Sequence, residues 1–103
     1  MEREEFVKKF AEIALKKRED AIEVIKALKL ASADMMADFV LSGYYTDAKK
    51  YALMFYVYDV LLNALYELSP MVRVEIKLAM LEKDYKMKPD YEEIYKAILK
   101  HLK

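Results

Sequence analysis

The sequence predicts an all-α fold: a single-domain bundle of four to five helices around a central apolar helix at about residues 47–68. Three observations predict it. The segment 51–68, YALMFYVYDVLLNALYEL, holds only three strongly polar residues, Asp59, Asn63 and Glu67. Their i, i+4, i+8 spacing gathers them into one narrow stripe on a helix, so other helices or a partner must cover the remaining circumference. No segment alternates apolar and polar residues with period two over a useful length. Finally, glycine occurs once and proline twice, so little interrupts a helical phase.

The elements follow in order. The first helix is expected from about Glu2 to Leu30, with Phe6, Phe10, Ile13, Ala14, Ala21, Val24, Ile25, Leu28 and Ala31 in helical phase. Lys17 falls on that apolar face and calls for either a kink or a stem that snorkels to solvent. Ser32 is a candidate N-cap for a short second helix ending at Leu41, because its hydroxyl can accept from an early backbone N–H. The two segments can equally form one continuous rod. Gly43 supplies the left-handed residue that ends a helix.

Thr46 is expected to cap the third helix, with Asp47 in its positive first turn and an end near Leu68. Ser69-Pro70 reads as a restart, Ser as N-cap and Pro at the first helical position. The fourth helix then spans about Pro70 to Asp84, with Met71, Val74, Leu78 and Leu81 inward. Residues 86–89 form a linker. Asp90 with Glu93 makes a capping-box-like start. The last helix, about Tyr91 to Leu102, turns Tyr91, Ile94, Tyr95, Ile98 and Leu102 inward. His101 and the terminal lysines suit its negative C-terminal end.

Composition narrows the functional classes. A chain of 103 residues that is 56% hydrophobic can bury a core but stays marginal without help. Eighteen basic residues balance 18 acidic ones, so no net field recruits nucleic acid. The absence of cysteine removes disulfide and thiolate chemistry. The N-terminal MEREEFVKK has no apolar core behind basic residues, so no signal peptide is expected. Residues 51–68 approach the length of a membrane span, but Asp59 sits mid-segment, where a charge is costly in lipid. Lys and Glu are abundant, Gln is absent, and Asn and Thr occur once each. That is the pattern of a thermophilic, archaeal, cytoplasmic protein, depleted in thermolabile residues.

Few residues suggest chemistry. Asp34 and Asp38 lie one turn apart on the second helix, and with Asp59 across the bundle they offer three carboxylates to a hard cation. Against this stands the plainer reading of solvated acids on an exposed face. The Glu-x-x-His pattern of bundle di-iron sites is absent. Glu19, Asp20 and Glu23, followed by Asp34 and Asp38, loosely mimic the paired acids with which helical nucleotide pyrophosphatases hold magnesium, but the spacing does not match. His101 is the only histidine and has no cysteine or second histidine for zinc. No phosphate-binding glycine loop occurs, no cofactor is expected, and no catalytic residue can be named. Lys8, Lys9, Lys16, Lys17 and Arg18 are interleaved with Glu4, Glu5, Glu12, Glu19 and Asp20, which reads as a solvated, salt-bridged face rather than a phosphate-binding one.

The aromatic load carries more. Nine tyrosines and four phenylalanines are present, and Tyr44, Tyr45, Tyr51, Tyr56, Tyr58 and Tyr66 surround the third helix. Core packing accounts for about half of the tyrosines. The remainder exceed what flanking helices can cover, and tyrosine suits interfaces because its ring buries while its hydroxyl stays hydrated. Tyr44, Tyr45, Tyr56 and Tyr58 are the candidate interface residues.

Residues 39–64, FVLSGYYTDAKKYALMFYVYDVLLNA, resemble small uncharacterised archaeal helical-bundle proteins. The likeness rests on Phe39, Gly43, Tyr45, Asp47, Ala48, Leu62, Asn63 and Ala64, and it implies a helical bundle with no assigned activity. The expectation is a non-enzymatic protein–protein interaction module that forms a homodimer through its aromatic helix. A small metal-dependent enzyme or ligand-binding bundle using Asp34, Asp38 and Asp59 is the alternative, and a nucleic-acid-associated protein the next.

Overall fold

The computed structural model describes residues 1–103, folded into five helices with no strand. They are α1 (Arg3–Lys16), α2 (Arg18–Leu41), α3 (Tyr45–Glu67), α4 (Met71–Tyr85) and α5 (Tyr91–His101). The helices alternate in direction. Lys29 meets Asp59 and Phe39 stacks on Tyr51, so α2 and α3 form an antiparallel hairpin. Arg3 meets Glu82, which sets α1 antiparallel to α4. Phe6 meets Tyr91 and Lys9 meets Tyr95, so α5 runs parallel to α1.

The all-α bundle around the apolar third helix is as the sequence predicts. Nine residues of α3 are buried, among them Leu53, Val57, Leu61 and Leu65. Asn63 and Glu67 are exposed and Asp59 is half-buried, so the polar stripe is the uncovered side. Val74 and Leu78 of α4 are buried, as are Tyr91, Ile94 and Ile98 of α5. Phe6, Phe10, Ile25, Leu61 and Ile94 meet in one core cluster. No helix is long and apolar enough to cross a membrane.

The helix boundaries differ from expectation in instructive places. The break falls at Lys17, whose φ of −138° and ψ of 40° leave the helical region. The kink is therefore the answer to the Lys17 misfit. Its ammonium leaves the apolar face and donates to a carboxylate oxygen of Lys103, the last residue. Ser32 is not a cap. It is buried inside an unbroken α2, and its hydroxyl donates to the Leu28 carbonyl at 2.9 Å. A mid-helix serine satisfies its own hydroxyl this way, and its small volume suits a crowded helix contact. Thr46 lies inside the first turn of α3, with Tyr44 at the N-cap and no side-chain cap. Ser69 is buried before Pro70, and its hydroxyl lies 3.5 Å from a Glu67 carboxylate oxygen rather than capping α4. Asp90 does cap α5: the Glu93 backbone N–H donates to its carboxylate at 3.0 Å.

Three helices end on a left-handed residue. Gly43 has a φ of 80°, and Leu68 and Lys86 have φ of 53° and 52°. Only at Gly43 is the conformation free of steric cost.

Two buried phenols bear on alkaline stability. Burial pushes the hydroxyls of both Tyr58 and Tyr91 well above the ordinary tyrosine value of 10.0; Glu93 adds to this at Tyr58 and a hydrogen bond to Glu82 at Tyr91. The unfolded chain therefore loses these protons first as pH rises. Their contribution is intact below pH 10 and is lost above it, by up to about 1.4 kcal/mol per pH unit for each phenol. Urea denaturation at pH 9 and pH 11 should show that loss, and Tyr58→Phe with Tyr91→Phe should flatten it. An unchanged slope in the double variant would contradict the assignment.

Candidate association surface

The α2–α3 corner is built by its own backbone. Ser42 ends α2, Gly43 turns left-handed, and two reverse hydrogen bonds close the end: Gly43 N–H to the Val40 carbonyl at 3.1 Å and Tyr44 N–H to the Phe39 carbonyl at 2.8 Å. This is the Schellman pattern, which satisfies the carbonyls a helix end would otherwise leave open. The apolar contact that accompanies that pattern is also present. Tyr44 packs edge-on against Phe39 with ring centroids 6.4 Å apart, and Phe39 stacks on Tyr51 at 5.5 Å.

The corner thus holds an ordered aromatic cluster and still leaves large apolar groups in solvent. Leu41 is 86% exposed, Tyr45 70% and Tyr44 61%. Val40 is exposed beside them. Four such residues within six positions form a contiguous apolar tip.

Tyr56 lies eleven residues beyond Tyr45, on nearly the same face of α3 and about 16 Å along its axis at 1.5 Å per residue. It is exposed, and its ring centroid lies 6.1 Å from that of Tyr85. It lines a shallow cleft of about 290 Å³ between α3 and α4 with Asp59, Val60, Asn63 and Met80. Tyr44, Tyr45 and Tyr56 therefore all reach the surface, in two patches rather than one.

Tyr58 is a correction. It is 1% exposed and belongs to the core, so it offers nothing to a partner. It lies two positions after Tyr56, and on a helix that spacing turns side chains to different faces. The tyrosine count could not distinguish them; the helical phase set by Leu61 and Leu65 could have.

The three candidate metal ligands do not come together. No group of three acidic or histidine side chains is arranged to hold a metal ion. Asp34 and Asp38 are exposed on α2. Asp59 already has a cation: the Lys29 ammonium lies 2.7 Å from one carboxylate oxygen, and Asn63 lies 3.5 Å from the other. Lys29 also sits 5.1 Å from the centroid of the Phe55 ring. This partner was legible only as a lysine on α2 at the correct register, which requires knowing how α2 and α3 align. His101 is exposed in the last turn of α5.

Sequence reasoning passed over the exposed apolar residues outside the tyrosines. Leu41 and Val40 complete the corner, and Val72, Ile76 and Met80 leave a second exposed row on α4. The i+4 spacing of that row was visible in the sequence, on the face opposite Val74 and Leu78. No family model, curated protein or solved structure matches the chain, so the geometry alone bears on its role.

Proposed function

We propose that the protein is a non-enzymatic interaction module that self-associates, its interface centred on the α2–α3 corner. The single observation that carries this reading is the exposure of Leu41 and Tyr45 beside Val40 and Tyr44, on a turn held by its own hydrogen bonds. A rigid apolar tip loses little conformational freedom when covered, and tyrosine supplies large contact area with few rotatable bonds. The interface extends along the Tyr45 face of α3 toward Tyr56. An antiparallel twofold packing of that face sets Tyr45 of one copy against Tyr56 of the next, the self-complementary geometry of a dimer.

Light scattering coupled to size exclusion tests this. The wild type should run at twice the chain mass of 12.2 kDa, and Leu41→Glu with Tyr45→Glu should run as a monomer with an unchanged circular dichroism spectrum. Both side chains are exposed, so their replacement leaves the core intact. A wild type that stays monomeric at high concentration would sink the reading.

A further inference from the structure

The low-charge surface at the corner continues along both arms of the hairpin. On α3, Tyr45, Ala52, Tyr56 and Asp59 recur at helical spacing and share one face. On α2, Ala33, Ala37 and Val40 do the same. The two faces look to the same side of the hairpin. Lys29 lies one turn before Ala33 on the α2 face, and its ammonium reaches Asp59 on the α3 face. Ala37, Val40, Tyr45 and Tyr56 are exposed, and Ala33 and Ala52 are half-buried.

This open face carries no net charge. Lys29 and Asp59 neutralise each other, and Asp34 and Lys49 stand at its α2 and α3 edges. Other helices turn charge outward: Glu5, Lys8 and Glu12 on α1, Glu92, Lys96 and Lys100 on α5. A twofold contact sets a face against its own copy, so like charges on it meet; a neutral face escapes that cost. Size points the same way. The α3 strip from Tyr45 to Tyr56 is about 16 Å long and about 10 Å wide, a small part of the roughly 800 Å² that each partner buries in a stable complex. The α2 strip beside it is the surface that enlarges the contact.

We propose that α2 supplies the second half of the interface. Two α2–α3 hairpins pack open face to open face as an intermolecular four-helix bundle, α2 on α2 and α3 on α3, both antiparallel. This rests on the self-association proposed above and adds its remaining surface and its axis. The midpoint between Tyr45 and Tyr56 falls beside Tyr51, whose ring stacks on Phe39 at 5.5 Å. Setting Tyr45 against Tyr56 of the next copy therefore places the twofold axis level with Phe39, between Ala37 and Val40. Ala37 of each copy then meets Val40 of the other, a small side chain against a branched one, which lets ridges enter grooves.

The chain contains no cysteine, so one introduced thiol reports its own surroundings. A short bismaleimide should join Ala37→Cys into a covalent dimer, because the two copies of that position stand about 5 Å apart along the helix direction. Ala27→Cys, also exposed on α2, stands about 35 Å from its copy and should stay single. In light scattering, Ala37→Arg forces two guanidinium groups together near the axis and should raise the dimer dissociation constant at least about a hundredfold. Ile76→Arg, on the exposed row of α4, should leave it unchanged. Both positions are exposed, so the core stays intact. A dimer that Leu41→Glu with Tyr45→Glu dissolves but Ala37→Arg leaves whole would overturn this inference while the corner interface stands. Equal crosslinking of Ala27→Cys and Ala37→Cys would do the same. A wild type that is monomeric throughout would overturn both.

Discussion

Tyr58→Ala is expected to lower the unfolding free energy by about 3–5 kcal/mol, the range for truncating a large aromatic side chain in a packed core. Tyr45→Ala, made in a Leu41→Glu monomer so that no partner covers the exposed corner, should cost less than about 0.5 kcal/mol, as exposed substitutions do. Tyr58 is among the largest fully buried side chains, with Phe6, Phe10 and Tyr91. Removing its ring opens a cavity against α3's neighbours that the surrounding helices fill only in part. Tyr58→Phe keeps the ring and should lose far less. Urea denaturation of the three variants decides the matter. Comparable losses for Tyr58→Ala and Tyr45→Ala would mean that the two rings are buried alike.

The second large effect should come from Glu82. Its carboxylate receives a hydrogen bond from the Tyr91 hydroxyl at 2.7 Å and one from Arg3 at 2.9 Å, on the same oxygen. One side chain of α4 therefore ties down α1 and α5 together. The Arg3 Nε has no hydrogen-bond partner and lies 4.0 Å from Glu75, so Glu82 is the main anchor of that guanidinium. Glu82→Ala leaves the buried phenol without an acceptor, which costs about 1–3 kcal/mol. The Arg3 contribution is smaller, because that side chain is 30% exposed and water screens the pair. A total loss of about 2–3 kcal/mol is expected. In a Glu82→Ala, Tyr91→Phe double variant the loss should be smaller than the sum of the two single losses, since removing both partners leaves nothing unsatisfied. Strict additivity would show that the 2.7 Å contact carries no energy.

Most of the fold was legible because each helix carries a one-sided apolar phase. Val74 and Leu78, or Ile94 and Ile98, declare their inward face without reference to the rest of the chain. What escaped was set by contacts between helices. Ser32 looks like a cap because local propensity favours serine there, yet tight packing against α3 retains it inside a continuous helix. Lys17 looks like an interruption of one helix, and the bend it permits lets α1 turn away from the hairpin and reach α4 and α5. The association surface was half legible. The corner tyrosines are exposed as expected, while Tyr58 was assigned by residue type when its helical phase pointed inward. Asp59 drew attention as a ligand, but the register that brings Lys29 to it is a property of the hairpin as a whole.

The position of α1 also shapes how the chain is made. Its apolar face, Phe6, Val7, Phe10 and Ile13, is covered chiefly by α4 and α5, which lie at the other end of the sequence. The hairpin of α2 and α3 can close as soon as it is synthesised, being composed of neighbours. At about 5–20 residues per second, α1 then waits roughly 4–16 s before α5 emerges. The first of these five helices to leave the ribosome is thus among the last to find its place, and during that interval Phe6 and Phe10 have only transient contact with the hairpin to cover them.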